Sequence, residues 1–214
     1  MFSEGSSMGS TNRHAAGSAH DAVMHDAATG AHARLHDDIE RVLVPAAAIA
    51  ERVRALAQTL GEDYAHADGR LTVVPVMTGS LLFAADLVRA LPQRRMRIQL
   101  TTVSSYGGKA TATRGSAIVG ALPKHLEGHH VLIVDDILDS GGTLRLLRSE
   151  FESRGAASVR ACVLLRKKIE SALSTPCEYV GFDIGDEFVV GYGLDYDDLY
   201  RNLPYVGTLR REAR

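Results

Sequence analysis

The stretch that decides the fold is "VLIVDDILDSGGTL", Val131 to Leu144. Apolar residues run into Asp135 and Asp136, then Asp139, then Ser140-Gly141-Gly142-Thr143 and a new apolar pattern. A short continuous apolar run reads as a strand buried on both faces. The Gly-rich turn reads as the entry to a helix, whose free N–H groups and positive dipole end favour a phosphate. Glycines permit positive φ and let a ligand approach the backbone, and the Ser140 and Thr143 hydroxyls add donors. No G-K-[ST] follows, so this is not a Walker motif. Taken alone, the glycines fit an ordinary turn with Ser140 or Thr143 near an N-cap as well as they fit a phosphate site.

The acids shift that balance. Carboxylates repel a phosphate unless a hard cation such as Mg²⁺ intervenes, or sugar hydroxyls donate to them. A phosphorylated sugar meets both demands.

Around this stretch, strands alternate with helices. "IERVLV" (39–44) reads as a strand and Pro45 opens a helix to about residue 60. "LTVVPV" (71–76) is a buried strand, and "GSLLFAADLVRAL" (79–91) a helix stopped before Pro92. "MRIQLTTV" (96–103) reads as one strand, and 104–116 as a long loop without apolar period. Residues 130–136, 158–165 and 178–184 are strands, 142–155 a helix, and 187–196 a short apolar segment ending in acid. This order predicts a mainly parallel sheet with helices on both faces. Ligands then bind beyond the carboxyl ends of the strands. Asp135, Asp136, the Met77-Thr78-Gly79 turn, the 104–116 loop, Arg166, Lys167 and Asp183 are all expected on that rim.

Composition sets the bounds. The chain has 214 residues, 45% of them hydrophobic, enough for one ordinary domain. A formal net charge of −2 gives no reason to expect nucleic acid as a partner. No apolar window suits a membrane span or secretory signal. Cys162 and Cys177 have no metal-ligand spacing and are expected reduced, in a cytoplasmic protein. Residues 1–36 form a Ser-, Gly-, Ala- and His-rich tail, with the domain proper expected over 37–214. His14, His20, His25, His32 and His36 lack a tight ligand pattern and read as solvated.

"VLIVDDILDSGGTL" resembles the phosphoribosyl-pyrophosphate signature of the type I phosphoribosyltransferases. The likeness continues in "VSSY" (103–106), "LLRK" (164–167) and "VGFDIGDEFVVGYGLDYDDLYRNLPYVG" (180–207). That last run is similar to the C-terminal segment of the hypoxanthine-guanine branch. The resemblance spans roughly residues 37–207. It implies a five-stranded, mainly parallel core flanked by helices, with a small hood from 37–44 and 184–214.

The roles it implies are specific. Ser140, Gly141, Gly142 and Thr143 would hold the sugar 5′-phosphate. Asp135 and Asp136 would face the ribose hydroxyls and Mg²⁺, and Asp139 would serve as general base or acid near purine N7. Lys167 would donate to the 6-oxo group, Phe188 would stack on the base, and the Val189 backbone would read the ring edge. Asp195 would meet the exocyclic edge and a second Mg²⁺. Thr78, Gly79 and Arg201 would hold pyrophosphate, the turn by its backbone and often through a cis peptide. Ser105 and Tyr106 belong to a loop that closes over the centre. The bland alternatives are a solvated lysine, a core phenylalanine, and a surface Asp195–Arg201 pair. Three departures stand out: Asp135 where Glu is commoner, Thr78 where a basic residue is common, and Gly142 where Lys or Asn is common.

The resemblance implies transfer of the phosphoribosyl group to hypoxanthine or guanine, with Mg²⁺, in a homodimer or homotetramer. The rivals are a regulatory, nucleotide-sensing protein that binds nucleic acid on the same fold, and a transferase preferring xanthine or adenine.

Overall fold

A computed structural model of the chain describes residues 37–67, 69–93, 95–105 and 116–213. In chain order the elements are β1 (Ile39–Val44), α1 (Ala46–Asp63), β2 (Leu71–Met77), α2 (Leu81–Ala90), β3 (Met96–Ile98), β4 (Thr101–Ser105) and β5 (Ser116–Ile118). They continue with β6 (His130–Leu138), α3 (Gly142–Ser153), β7 (Ser158–Lys167), α4 (Glu170–Leu173), β8 (Tyr179–Ile184) and β9 (Val206–Leu209). The sequence-predicted tail, residues 1–36, lies outside the described residues.

The main sheet runs β5-β4-β2-β6-β7-β8, with β3 also on β2. All its pairings are parallel except β4 with β5. Residues 96–103, expected as one strand, form two, because the edge beside β2 breaks between Ile98 and Thr101. The break lies opposite Val74–Pro75, and Pro75 has no N–H to offer a ladder. β3 and β4 therefore share one position, and the parallel core keeps its expected five. Ser105 and Ser116, expected in a loop, lie in the β4–β5 hairpin. An antiparallel edge made largely of Ser and Thr carries no apolar period to reveal it. β1 pairs antiparallel with β9 in a separate two-stranded sheet. The 187–196 segment holds only isolated bridges, such as Val190 with Gly207.

β6 explains the double cover. Leu132 and Val134 face Val53, Leu56, Leu60, Phe83 and Leu87 of α1 and α2. Val131 and Ile133 face Leu144, Leu147 and Phe151 of α3. Burial on alternate faces of a continuous apolar run is what a central parallel strand needs. The helices meet it with apolar residues three and four apart, as in Ile49, Val53, Leu56 and Leu60. The outer edge of β8 is covered by Arg52, which donates to the carbonyls of Val180 (2.7 Å) and Gly181 (2.9 Å). Among the described residues, no helix is long and apolar enough to cross a membrane.

Candidate active site

The strand end that opened the sequence reading is not an end. β6 continues through both acids to Leu138, still paired to β7 at Leu138↔Arg166. Its partner on the other side, β2, pairs only as far as Pro75↔Val134. β2 then turns away at Met77–Ser80, and a cleft opens where Asp135 and Asp136 begin.

That cleft is a cavity of about 530 Å³ lined by Thr78, Gly79, Asp135, Asp136, Asp139, the Ser140–Thr143 turn, Asp195 and Arg201. A second cavity of about 220 Å³ adjoins it, lined by Asp139, Lys167, Glu187, Phe188, Val189 and Leu194, with Asp136, Ile137 and Asp195. Asp136, Ile137, Asp139 and Asp195 line both. The structure thus brings together the predicted residues of four separate segments.

The Ser140–Thr143 turn starts α3. Gly141 is its N-cap at φ 75, and no side chain caps the helix. Neither Ser140 nor Thr143 takes the cap role, so the first amides of α3 have no side-chain acceptor there. A Cβ on Gly141 would stand 2.0 Å from Thr175 Oγ1, so glycine is required on both counts. Arg145 braces the turn, donating to the Ser140 carbonyl (2.9 Å) and to Thr175 Oγ1 (2.6 Å). Gly142 is ordinary helix; the left-handed residue is its neighbour. On the opposite wall the Met77–Thr78 peptide is cis, and Thr78 is exposed.

Asp135 is 7% exposed, and its Oδ1 accepts from the Asp136 amide at 3.0 Å. Burial pushes the Asp135 carboxyl up, and the neighbouring Asp136 charge adds to it. Burial also raises Asp136, against hydrogen bonds from the backbone and the nearby Arg201 charge. A buried acid beside a half-buried one, with so little cationic compensation, suits a hard dication. Among the described residues, no group of three or more His, Cys, Asp or Glu could hold a metal alone. Asp135 and Asp136 offer hard oxygen donors of the kind Mg²⁺ takes alongside ligand oxygens.

Lys167, 13% exposed at its side chain, donates to Asp186 Oδ1 at 2.9 Å and lies 3.2 Å from Asp139 Oδ2. Burial works against its charge, but the Asp186 and Asp139 hydrogen bonds outweigh it and hold the ammonium above the ordinary lysine range. The Lys167 ammonium is thus held by two carboxylates rather than left in open solvent. Phe188 is 48% exposed, which excludes a core role, and it meets Tyr196 edge-on at 5.7 Å. Val189 is buried. Arg201 pairs with Asp195 Oδ1 at 2.8 Å and donates to the Gly193 carbonyl, and Arg201 and Asp195 both line the cleft. Left-handed Asp197, Asp198 and Tyr200 fold the chain back to make this pair.

Arg166 and Asp183 stand at the carboxyl ends of β7 and β8 as expected, but they pair with each other at 2.7 Å and line neither cavity. Tyr106 lies outside the described residues, and Ser105 is placed only as the last residue of β4. Sequence reasoning missed Asp186, on Lys167, and Glu187, whose carboxylate pairs with Arg41. Two acids beside the aromatic Phe188, just past the β8 end, were the available signal.

Residues 43–197 match the family model described as "Phosphoribosyl transferase domain". The chain is 41% identical over 176 residues to the hypoxanthine-guanine phosphoribosyltransferase of Mycobacterium tuberculosis (strain ATCC 25618 / H37Rv), covering 80% of this chain and 87% of the relative. It is 40% identical over 168 residues to the hypoxanthine phosphoribosyltransferase of Escherichia coli (strain K12), covering 78% and 94%. Among solved structures, a hypoxanthine phosphoribosyltransferase from Staphylococcus aureus superposes with a TM-score of 0.76 at 38% identity, covering 83% of this chain and 95% of that one.

Proposed function

The chain belongs to the phosphoribosyl transferase family, and from that premise we propose that it salvages purines. It is an enzyme that transfers the 5-phosphoribosyl group from phosphoribosyl pyrophosphate to hypoxanthine or guanine, giving IMP or GMP and pyrophosphate. The observation that supports this best is Asp139 on the wall common to both cavities, with Lys167 3.2 Å away in the smaller one. A base and a sugar phosphate bound side by side would meet at that wall.

In this reading the amides of the Ser140–Thr143 turn and the start of α3 bind the 5′-phosphate. The Thr78–Gly79 backbone and Arg201 hold the pyrophosphate. Asp135 and Asp136 face the ribose hydroxyls and would hold Mg²⁺ together with substrate oxygens, and Asp195 would contribute to a second Mg²⁺. Mg²⁺ held there would supply positive charge to offset that of the departing pyrophosphate. Phe188 stacks on the purine, the Val189 backbone reads its edge, and Lys167 donates to the 6-oxo oxygen. As purine N9 bonds to the anomeric carbon, the bond to pyrophosphate breaks. Asp139 takes the proton that the purine ring loses, and its negative charge offsets the oxocarbenium-like sugar. A homodimer or homotetramer belongs to the same proposal, on the strength of the resemblance.

The regulatory, nucleic-acid-binding alternative and the xanthine preference draw no support from the relatives above, which are named as hypoxanthine or hypoxanthine-guanine transferases. Initial-rate assays with phosphoribosyl pyrophosphate, Mg²⁺ and each of hypoxanthine, guanine, xanthine and adenine test the reading. Turnover of hypoxanthine and guanine is expected. No turnover with either, or adenine as the best substrate, would overturn it.

A further inference from the structure

We propose that Asp186 is a positioning residue for base selection: it anchors the Lys167 ammonium from outside the base cavity, so that the ammonium is not drawn wholly onto Asp139 and keeps a donor for the base. This rests on the transferase reading above. The two carboxylates on Lys167 are not equivalent. Asp139 lines the base cavity, whereas Asp186 does not and faces a neighbouring hollow with Arg41 and Glu187. Asp186 is the nearer partner, 2.9 Å against 3.2 Å, although its side chain is 65% exposed.

An ammonium has three donors. With one on Asp186 and one toward Asp139, the third is left for an acceptor in the cavity. Lysine is a point charge on a flexible stem, and its direction is set by what holds it. Without Asp186 the ammonium would settle on Asp139 alone. A full ion pair there would draw the donor away from the 6-oxo position. The other carboxylate in the cavity wall that could replace Asp186 is Glu187, and Arg41 already occupies it. Asp136 and Asp195 also line the wall but do not bond to Lys167; Asp195 is held by Arg201.

The test compares Asp186→Ala and Asp186→Asn in the full chain. Asp186 is exposed enough that folding should survive either substitution, and thermal unfolding checks this. Asp186→Ala is expected to lower kcat/KM for hypoxanthine by roughly five- to tenfold, the worth of a charge-assisted bond discounted for exposure. Most of the loss should be in the KM for hypoxanthine, with KM for phosphoribosyl pyrophosphate unchanged. The hypoxanthine-to-adenine ratio should narrow. Asp186→Asn, which retains an acceptor oxygen, should lie between Asp186→Ala and the unmutated enzyme. An unchanged ratio and KM in Asp186→Ala would overturn the proposal. So would an equal rise in both KM values with a lowered melting temperature, the mark of a general structural role. If the unmutated enzyme turns over no 6-oxopurine, the transferase reading fails first, and the proposal falls with it.

Discussion

Gly79 lies so close to Asp136 that a Cβ built on it would stand 1.8 Å from Asp136 Oδ2. The turn after β2 and the acid on β6 are thus packed backbone against carboxylate across the mouth of the cleft. Its other side is equally tight, since a Cβ on Gly193 would stand 1.9 Å from the Gly79 carbonyl. Glycine here is a demand of close approach, which ties the proposed pyrophosphate turn to the proposed ribose acid.

Gly79→Ala should therefore displace Asp136 and the turn together. Overpacking of this kind costs about 1–3 kcal/mol of stability. Misplacement at the reacting centre should lower kcat/KM for phosphoribosyl pyrophosphate by roughly 10²-fold. Steady-state kinetics and a urea titration measure the two effects. Kinetics like those of the unmutated enzyme would mean that Gly79 is not part of the site.

Asp139→Asn keeps the shape of the side chain and removes its negative charge. Turnover should fall roughly 10²- to 10⁴-fold, the usual worth of a positioned acid or base. Lys167 keeps Asp186, so the base cavity should retain its form. Pre-steady-state rates with hypoxanthine should carry the loss, while phosphoribosyl pyrophosphate binding, followed by calorimetry, should change little. Near-normal turnover would remove Asp139 from the mechanism.

The Arg166–Asp183 pair gives a pH prediction away from the chemistry. The Arg166 hydrogen bonds, against a smaller effect of burial, hold Asp183 below the ordinary carboxylate range. A carboxyl lowered on folding contributes stability that is present above its unfolded pKa, and that is lost as pH falls through its folded one. The pair is partly exposed, so its worth is about 0.2–1 kcal/mol. Asp183→Asn should lower the urea midpoint slightly at pH 7 and leave it unchanged at a pH below the folded pKa. A deficit of the same size at both pH values would contradict this.

Much of the fold was legible because β6 and its neighbours obey simple patterning. The run Val131–Val134 is apolar on both faces, and it proved to be buried on both faces. The Ser140–Thr143 turn was legible as a helix entry because its glycines follow a buried apolar run and precede a new apolar pattern. What failed has local causes. β6 outlasts its acids because β7 goes on pairing with it after β2 leaves, and periodicity does not report where a partner departs. The break between β3 and β4 traces to Pro75 on a different strand. Asp186 was missed because its role depends on β8 lying beside β7, which brings it to Lys167 across nineteen residues of sequence.

The central claim is base choice, and Lys167 tests it most directly. Its ammonium offers donors only, so a 6-oxo group satisfies it while the 6-amino group of adenine meets it donor to donor. An unpaired charged donor in the cavity costs on the order of 1.5–3 kcal/mol, about one to two decades of selectivity. Stacking on Phe188 does not supply the difference, because every purine has a similar π-face. The measurement is the ratio of kcat/KM for hypoxanthine to that for adenine, in the unmutated enzyme and in Lys167→Ala. The ratio should be large in the first and should collapse by roughly one to two decades in the second, through loss with hypoxanthine rather than gain with adenine. A ratio that survives the substitution, or one that favours adenine from the start, would contradict the account.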